Sequence, residues 1–93
     1  MRLILYSKPG CHLCEGLQEK LEKIQNLSFE LEIRDITTRE DWFAAYEYEV
    51  PVLYLSNLRG AEDEEGSQKP LPRPSPRASV QQLEQMLRKY LAN

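Results

Sequence analysis

Hydrophobic and polar positions change their period several times along the chain, and each change marks an element. Arg2 to Tyr6 holds Leu3-Ile4-Leu5 in a nearly continuous apolar run, the pattern of a strand buried on both faces. Pro9-Gly10 breaks it. From about His12 to Gln25 the spacing turns helical, with Leu13, Leu17, Leu21 and Ile24 on one face. Glu15, Glu19, Lys20, Glu22 and Lys23 decorate the other side, and Asn26 is a stop signal. Ser28 to Asp35 then alternates, Phe29, Leu31 and Ile33 against Glu30, Glu32 and Arg34. That period predicts a half-exposed strand at a sheet edge.

Thr37-Thr38-Arg39-Glu40 has the form of a capping box, with Thr37 as cap and Glu40 reaching back. The short helix after it offers Trp42, Phe43 and Tyr46 as core anchors. Glu49-Val50-Pro51 ends that helix, and Val52 to Leu55 reads as a third strand. Residues 56–69 are polar and acidic, a solvated hairpin loop by their composition.

Pro70, Pro72, Pro74 and Pro76 recur at every second position. Backbone N–H groups alternate between the two edges of a strand, so this spacing removes donors from one edge only. Leu71, Arg73 and Ser75 are therefore expected to pair with Val52–Leu55, leaving the proline edge outward and protected from aggregation. A polyproline linker or docking peptide is the competing reading. Ser79 is expected to cap a last helix to about Ala92, with Val80, Leu83, Leu87, Tyr90 and Leu91 on its apolar face.

The resulting order is β-α-β-α-β-β-α, an α/β class. A helix joins the first two strands, which makes them parallel with a right-handed crossover. The last two, joined without a helix, form an antiparallel hairpin. A four-stranded mixed sheet flanked by helices satisfies both, and 93 residues suit a single domain over 1–93.

Composition narrows the function classes. Apolar residues make up 41% and charged residues 29%, ordinary for a globular protein. A net charge of −3 and no basic stripe argue against a nucleic-acid partner or an anionic membrane surface. The apolar run near the start is shorter than the roughly 7–15 residues of a signal-peptide core. The expectation is a cytoplasmic monomer.

Two cysteines stand three positions apart, Cys11-His12-Leu13-Cys14. So short a loop constrains little chain entropy, so their value lies in reactivity or metal binding. The pair follows a buried strand and opens a helix within a β-α-β pattern, the context of a redox motif. Free N–H groups and the positive end of the helix dipole stabilise a thiolate there. Cys11, at the exposed end, is the candidate nucleophile, and Cys14, one turn inward, the resolving thiol. The expected thiol pKa of Cys11 lies below the free value of about 8.5. Lys8 adds positive charge nearby, and His12 does so when protonated or else donates a hydrogen bond. Glu15 opposes both. Each also has a plainer reading, His12 as a polar cap-region residue and Lys8 as a surface lysine. Zinc wants four ligands, and Cys11, Cys14 and His12 do not supply them within one chain. No metal is therefore expected in a monomer, while a metal or iron–sulfur cluster shared between two chains stays open.

Tyr6-Ser7-Lys8-Pro9-Gly10-Cys11-His12-Leu13-Cys14 resembles the active-site segment of glutaredoxins, within the thioredoxin superfamily. It is most similar to the small glutaredoxin-like proteins that carry Cys-His-Leu-Cys. Val50-Pro51 resembles the second hallmark of that family, a cis-proline facing the cysteines. The resemblance implies a thioredoxin fold, a cis Pro51, strand-like pairing of a substrate with the Val50 backbone, and a substrate-side Tyr6. It implies a thiol–disulfide oxidoreductase with no bound cofactor, acting on disulfide-containing proteins or glutathione-mixed disulfides. Glutathione is the implied co-substrate, with a thioredoxin-reductase-like partner as the other source of electrons.

Two features depart from the family pattern. Glu49 stands where glutaredoxins usually have Thr, and it adds charge unfavourable to an anionic tripeptide. Pro74-Ser75-Pro76-Arg77-Ala78-Ser79 replaces a Gly-Gly element that holds one glutathione carboxylate at backbone N–H groups. Lys8 resembles the lysine that meets the other carboxylate. Two further functions fit the same elements: a binding module without turnover, and a dimeric metal or iron–sulfur carrier.

Overall fold

The structure, a computed structural model, describes residues 2–56 and 68–91. Most of the acidic loop expected over 56–69 lies outside the described residues, as does Ala92. The elements are β1 (Arg2–Ser7), α1 (His12–Glu22), β2 (Glu30–Asp35), a 3-10 turn (Ile36–Thr38), α2 (Glu40–Tyr46), β3 (Val52–Ser56), β4 (Gln68–Pro70) and α3 (Val80–Leu91). The sheet order is β2-β1-β3-β4. β1 runs parallel to β2 and antiparallel to β3, and β3 is antiparallel to β4.

β1 is a central strand with both faces covered, which is why its sequence shows a run rather than an alternation. Leu3 and Leu5 pack with Leu17 and Leu21 of α1 and with Leu83 and Leu87 of α3. Ile4 and Tyr6 point the other way, onto Ile36, Trp42 and Tyr46. Each such leucine or isoleucine stabilises the fold by about 1.5–3 kcal/mol relative to exposure. Leu5 lies opposite Ile33 on one side and Leu53 on the other, so β1 ties the sheet together.

On the second face an aromatic cluster replaces aliphatic packing. The Tyr6 ring meets Tyr46 at 4.5 Å and Trp42 and Tyr54 at 5.7 Å between centroids. Arg34 closes this cluster. Its guanidinium lies 5.3 Å from the Trp42 ring and donates to the Tyr6 hydroxyl at 2.9 Å. Burial works against its charge, but hydrogen bonds to Glu32 and Tyr6 outweigh that and raise its pKa.

Several boundaries differ from the sequence reading, each for a local reason. α1 stops at Glu22 rather than Gln25, because its last turn tightens to three-residue bonds, Lys23 N–H to Lys20 O and Ile24 N–H to Leu21 O. Ile24 stays buried all the same. Thr37 does not cap α2. Asp35 takes that part of the chain first, accepting from the Thr37 N–H at 2.9 Å and from its hydroxyl at 2.6 Å. These bonds lower the Asp35 carboxyl pKa and set the 3-10 turn. α2 begins at Glu40 instead, with Arg39 as a cap that makes no side-chain capping bond. The Arg39 guanidinium grips Asp41 at 2.7 Å and lowers that carboxyl's pKa. Trp42 and Tyr46, one turn apart, face the sheet, while Phe43 points away and is 36% exposed. Ile33 likewise stands 37% exposed on the outer strand β2.

An edge strand forms, but earlier than expected: β4 is Gln68–Pro70, two of its three residues fall in the stretch expected as loop, and of Leu71, Arg73 and Ser75 it is Leu71 that bonds to β3. Pro70 lies opposite Tyr54, and the Leu71 N–H donates to the Leu53 carbonyl at 3.0 Å. Continued by two residues, the same register would set Arg73 against Pro51, which has no N–H to give. Pairing ends there, and Arg73 and Ser75 leave the sheet. The chain turns instead toward α1, where Lys20 Nζ donates to the Pro76 carbonyl at 2.8 Å.

No helix among the described residues is long and apolar enough to cross a membrane. α3 starts as the sequence reading expects. Ser79 Oγ accepts the Gln82 N–H at 3.1 Å, and Gln82 Oε1 accepts the Ser79 N–H at 2.9 Å. Ser79→Ala removes the capping oxygen and is expected to cost about 1 kcal/mol. Thermal unfolding followed by circular dichroism should then show a midpoint lowered by roughly 4–8 °C.

Candidate functional site

The route from β1 into α1 is a four-residue turn. The Cys11 N–H donates to the Lys8 carbonyl at 3.2 Å, and Gly10 has φ of +79°. Proline at the second position and a left-handed glycine at the third are the signature of a type II turn. Gly10 is needed there for its backbone alone, since an added Cβ would meet no atom within 4 Å. The turn delivers Cys11 to the N-cap of α1.

At that position the sulfur does the work of a capping oxygen. Cys11 Sγ accepts the Cys14 N–H at 3.2 Å, one of the donors that a helix start leaves unpaired. The two cysteines are joined as a disulfide, with Cα atoms 5.3 Å apart. Their surroundings differ. Cys11 is half-buried, and Cys14, one turn into the helix, is buried to 1% exposure beneath it. Cys11 thus lies nearer the surface than Cys14.

The remaining sequence candidates fall in different places. His12 projects into solvent with its side chain 95% exposed, 3.7 Å from Glu15. Lys8 reaches across to the end of α2, where Nζ donates to the Glu47 carbonyl at 3.3 Å. Val50 packs against the aromatic cluster, and its N–H donates to the Tyr46 carbonyl at 3.1 Å. Pro51 is buried behind a cis Val50–Pro51 peptide. Tyr6, expected on the substrate side, is placed in the core. Its side chain is 3% exposed, and residue alternation along β1 turns it toward α2, onto the face away from α1. The structure thus brings Cys11, Cys14 and Pro51 to one end of the sheet and leaves Tyr6 in the core.

A groove of about 290 Å³ lies beside the cysteines, with Leu13, Gly16, Leu17, Pro51, Pro74 and Pro76 among its lining residues. Sequence reading missed it. Residues 73–76, expected as strand or docking peptide, form its wall, tied down by Lys20 to Pro76 and by the Arg73 guanidinium to the Glu49 carbonyl. The available signals were a glycine inside a helical pattern and proline alternation running past the end of its partner strand. Among the described residues, no group of three or more His, Cys, Asp or Glu side chains is disposed to hold a metal ion.

A mixed sheet in this order, with a Cys-x-x-Cys at the β1–α1 junction and a cis-proline bordering the same groove, defines a thioredoxin-fold protein with a redox-type site. Its family is now clear: residues 2–88 match the model of the glutaredoxin-like domain (DUF836), and the chain belongs to that family. A solved structural-genomics target protein from X. campestris shares the fold. It superposes with a TM-score of 0.55 at 24% identity, over 94% of this chain and 96% of that one. No protein with a curated description matches the chain.

Gly10→Ala tests the turn. A left-handed conformation costs an L-residue about 1–2 kcal/mol, and denaturant unfolding should show a loss of that size. A stability equal to wild type would mean that the turn does not need its glycine.

Proposed function

We propose that this protein is a thiol–disulfide oxidoreductase that reduces disulfides through Cys11 and Cys14. The observation that carries the reading is the asymmetry of the pair: an open sulfur at a helix N-cap, hydrogen-bonded by the Cys14 N–H, above a buried one. That donor and the helix dipole both favour a thiolate on Cys11.

In the reduced protein, the Cys11 thiolate attacks one sulfur of a substrate disulfide. A mixed disulfide forms and the first substrate thiolate leaves. Cys14 then loses its proton and attacks Cys11 Sγ. The second substrate thiolate departs and takes up a proton. Two electrons have passed to the substrate, and the protein holds the Cys11–Cys14 disulfide. A reductant, glutathione or a reductase partner, returns it to the dithiol.

The Val50 carbonyl is the backbone group left to meet a substrate chain beside Pro51, since its N–H is already engaged by Tyr46. Lys8 and His12 have supporting parts at most, Lys8 by fixing the end of α2 that leads into Val50-Pro51. No bound cofactor enters the cycle. A monomer in a reducing, cytoplasmic compartment suits it.

Turnover of a small disulfide, driven by glutathione with its reductase and in parallel by thioredoxin reductase, tests the reading. Cys11→Ser should fall to the uncatalysed rate. Cys14→Ser should accumulate a covalent mixed disulfide, visible by intact mass and released by dithiothreitol. Full turnover by Cys11→Ser, or no reduction by the wild type with either donor, would overturn the assignment.

A further inference from the structure

The groove beside Cys11 has a chemical character of its own. Its apolar wall is Leu13, Leu17, Pro51, Pro74 and Pro76, and Leu13, inside the Cys-x-x-Cys itself, is 52% exposed. Leu13, Pro74 and Pro76, none of them buried, line the groove together and make one apolar surface rather than a lone exposed leucine. Gly16 adds room. It sits inside α1, where glycine weakens a helix relative to alanine, and a Cβ there would meet no atom within 4 Å. Nothing in the packing asks for a glycine at that position, whereas an occupant of the groove would.

The backbone of the 73–76 wall is poor in donors for a carboxylate. Pro74 and Pro76 have no N–H, so this wall offers at most the N–H of Ser75 to a carboxylate between them. Lys20 and Arg73 each commit a donor to a backbone carbonyl, Lys20 to Pro76 and Arg73 to Glu49, and so tie this wall in place. Glu15, next to Gly16 in the sequence, and Glu49, two residues before Pro51, are exposed and add negative charge to the surroundings. At about 290 Å³ the space is at the low end for a small-molecule site. It suits one large side chain on an extended backbone.

We propose that the groove takes a single large apolar side chain next to the cysteine of a polypeptide disulfide, and that the protein therefore prefers such polypeptides over glutathione. Gly16 and Leu13 set this specificity. The inference rests on the oxidoreductase reading above and adds the substrate class.

Chromogenic mixed disulfides provide the test: 2-nitro-5-thiobenzoate joined to the cysteine of short neutral peptides, with Leu, Phe or Ser after that cysteine, or joined to glutathione. Pre-reduced protein, freed of dithiothreitol, attacks the peptide sulfur through the Cys11 thiolate. The S–S bond breaks and nitrothiobenzoate leaves with its electron pair. Cys14 then displaces the peptide thiol, and the protein ends as its disulfide. The initial rate should be about tenfold higher for the Leu and Phe peptides than for the Ser peptide or glutathione, the scale on which an apolar pocket discriminates. Gly16→Leu, which fills the groove, and separately Leu13→Ser, which removes its apolar lip, should each bring the Leu-to-Ser rate ratio down toward one. Equal rates for all four substrates, a preference for glutathione, or an unchanged ratio in both variants would overturn the proposal and leave the oxidoreductase reading standing. Release no faster than from Cys11→Ser with every substrate would overturn both.

Discussion

The hydrogen bond from the Cys14 N–H to Cys11 Sγ depends on a chain of prior placements, and the site follows from them. The sulfur caps α1 only because the Lys8–Cys11 turn is tight and Gly10 adopts a positive φ. The turn starts where it does because β1 is pinned between two cores, Leu3 and Leu5 on one side, Ile4 and Tyr6 on the other. A strand so firmly held is a fixed base for a reactive group at its end. The helix start then supplies polar donors without any charged side chain having to be brought close.

The two faces of the sheet do separate work. The aliphatic face holds α1 and α3 and so fixes the direction of the helix that carries the cysteines. The aromatic face, closed by Arg34 on Tyr6 and Trp42, holds α2 and through it the approach to Val50-Pro51. Lys8 and Arg73 bind the carbonyls of Glu47 and Glu49, on either side of Tyr48 in that same approach. Backbone carbonyls are thus the anchor points by which the segments around the site are joined, and the cations that reach them are structural in the first instance.

Much of this was legible in the sequence because the signals were local. The continuous run of β1, the alternation of β2, the helical spacing of α1 and the Ser79 cap each reflect one element's own geometry. The Cys-x-x-Cys was legible for the same reason, as a spacing at a strand-to-helix junction. What escaped depended on contacts across the fold. Thr37 looked like a cap until Asp35 competed for it, and the burial of Tyr6 against α2 follows from strand alternation and the placement of a distant helix. The wall at Pro74-Ser75-Pro76 depends on where β3 runs out of donors, a property of strand register that no window of sequence contains.

The role proposed for Cys11 is that of the activated nucleophile of the pair, by its position at the helix start. Alkylation of the reduced protein by iodoacetamide over a range of pH, with the modified peptides mapped by mass spectrometry, tests it most directly. Cys11 is expected to be modified first, with the midpoint of its rate profile below the free-thiol value of about 8.5. First modification at Cys14, or a Cys11 midpoint at or above that value, would contradict it.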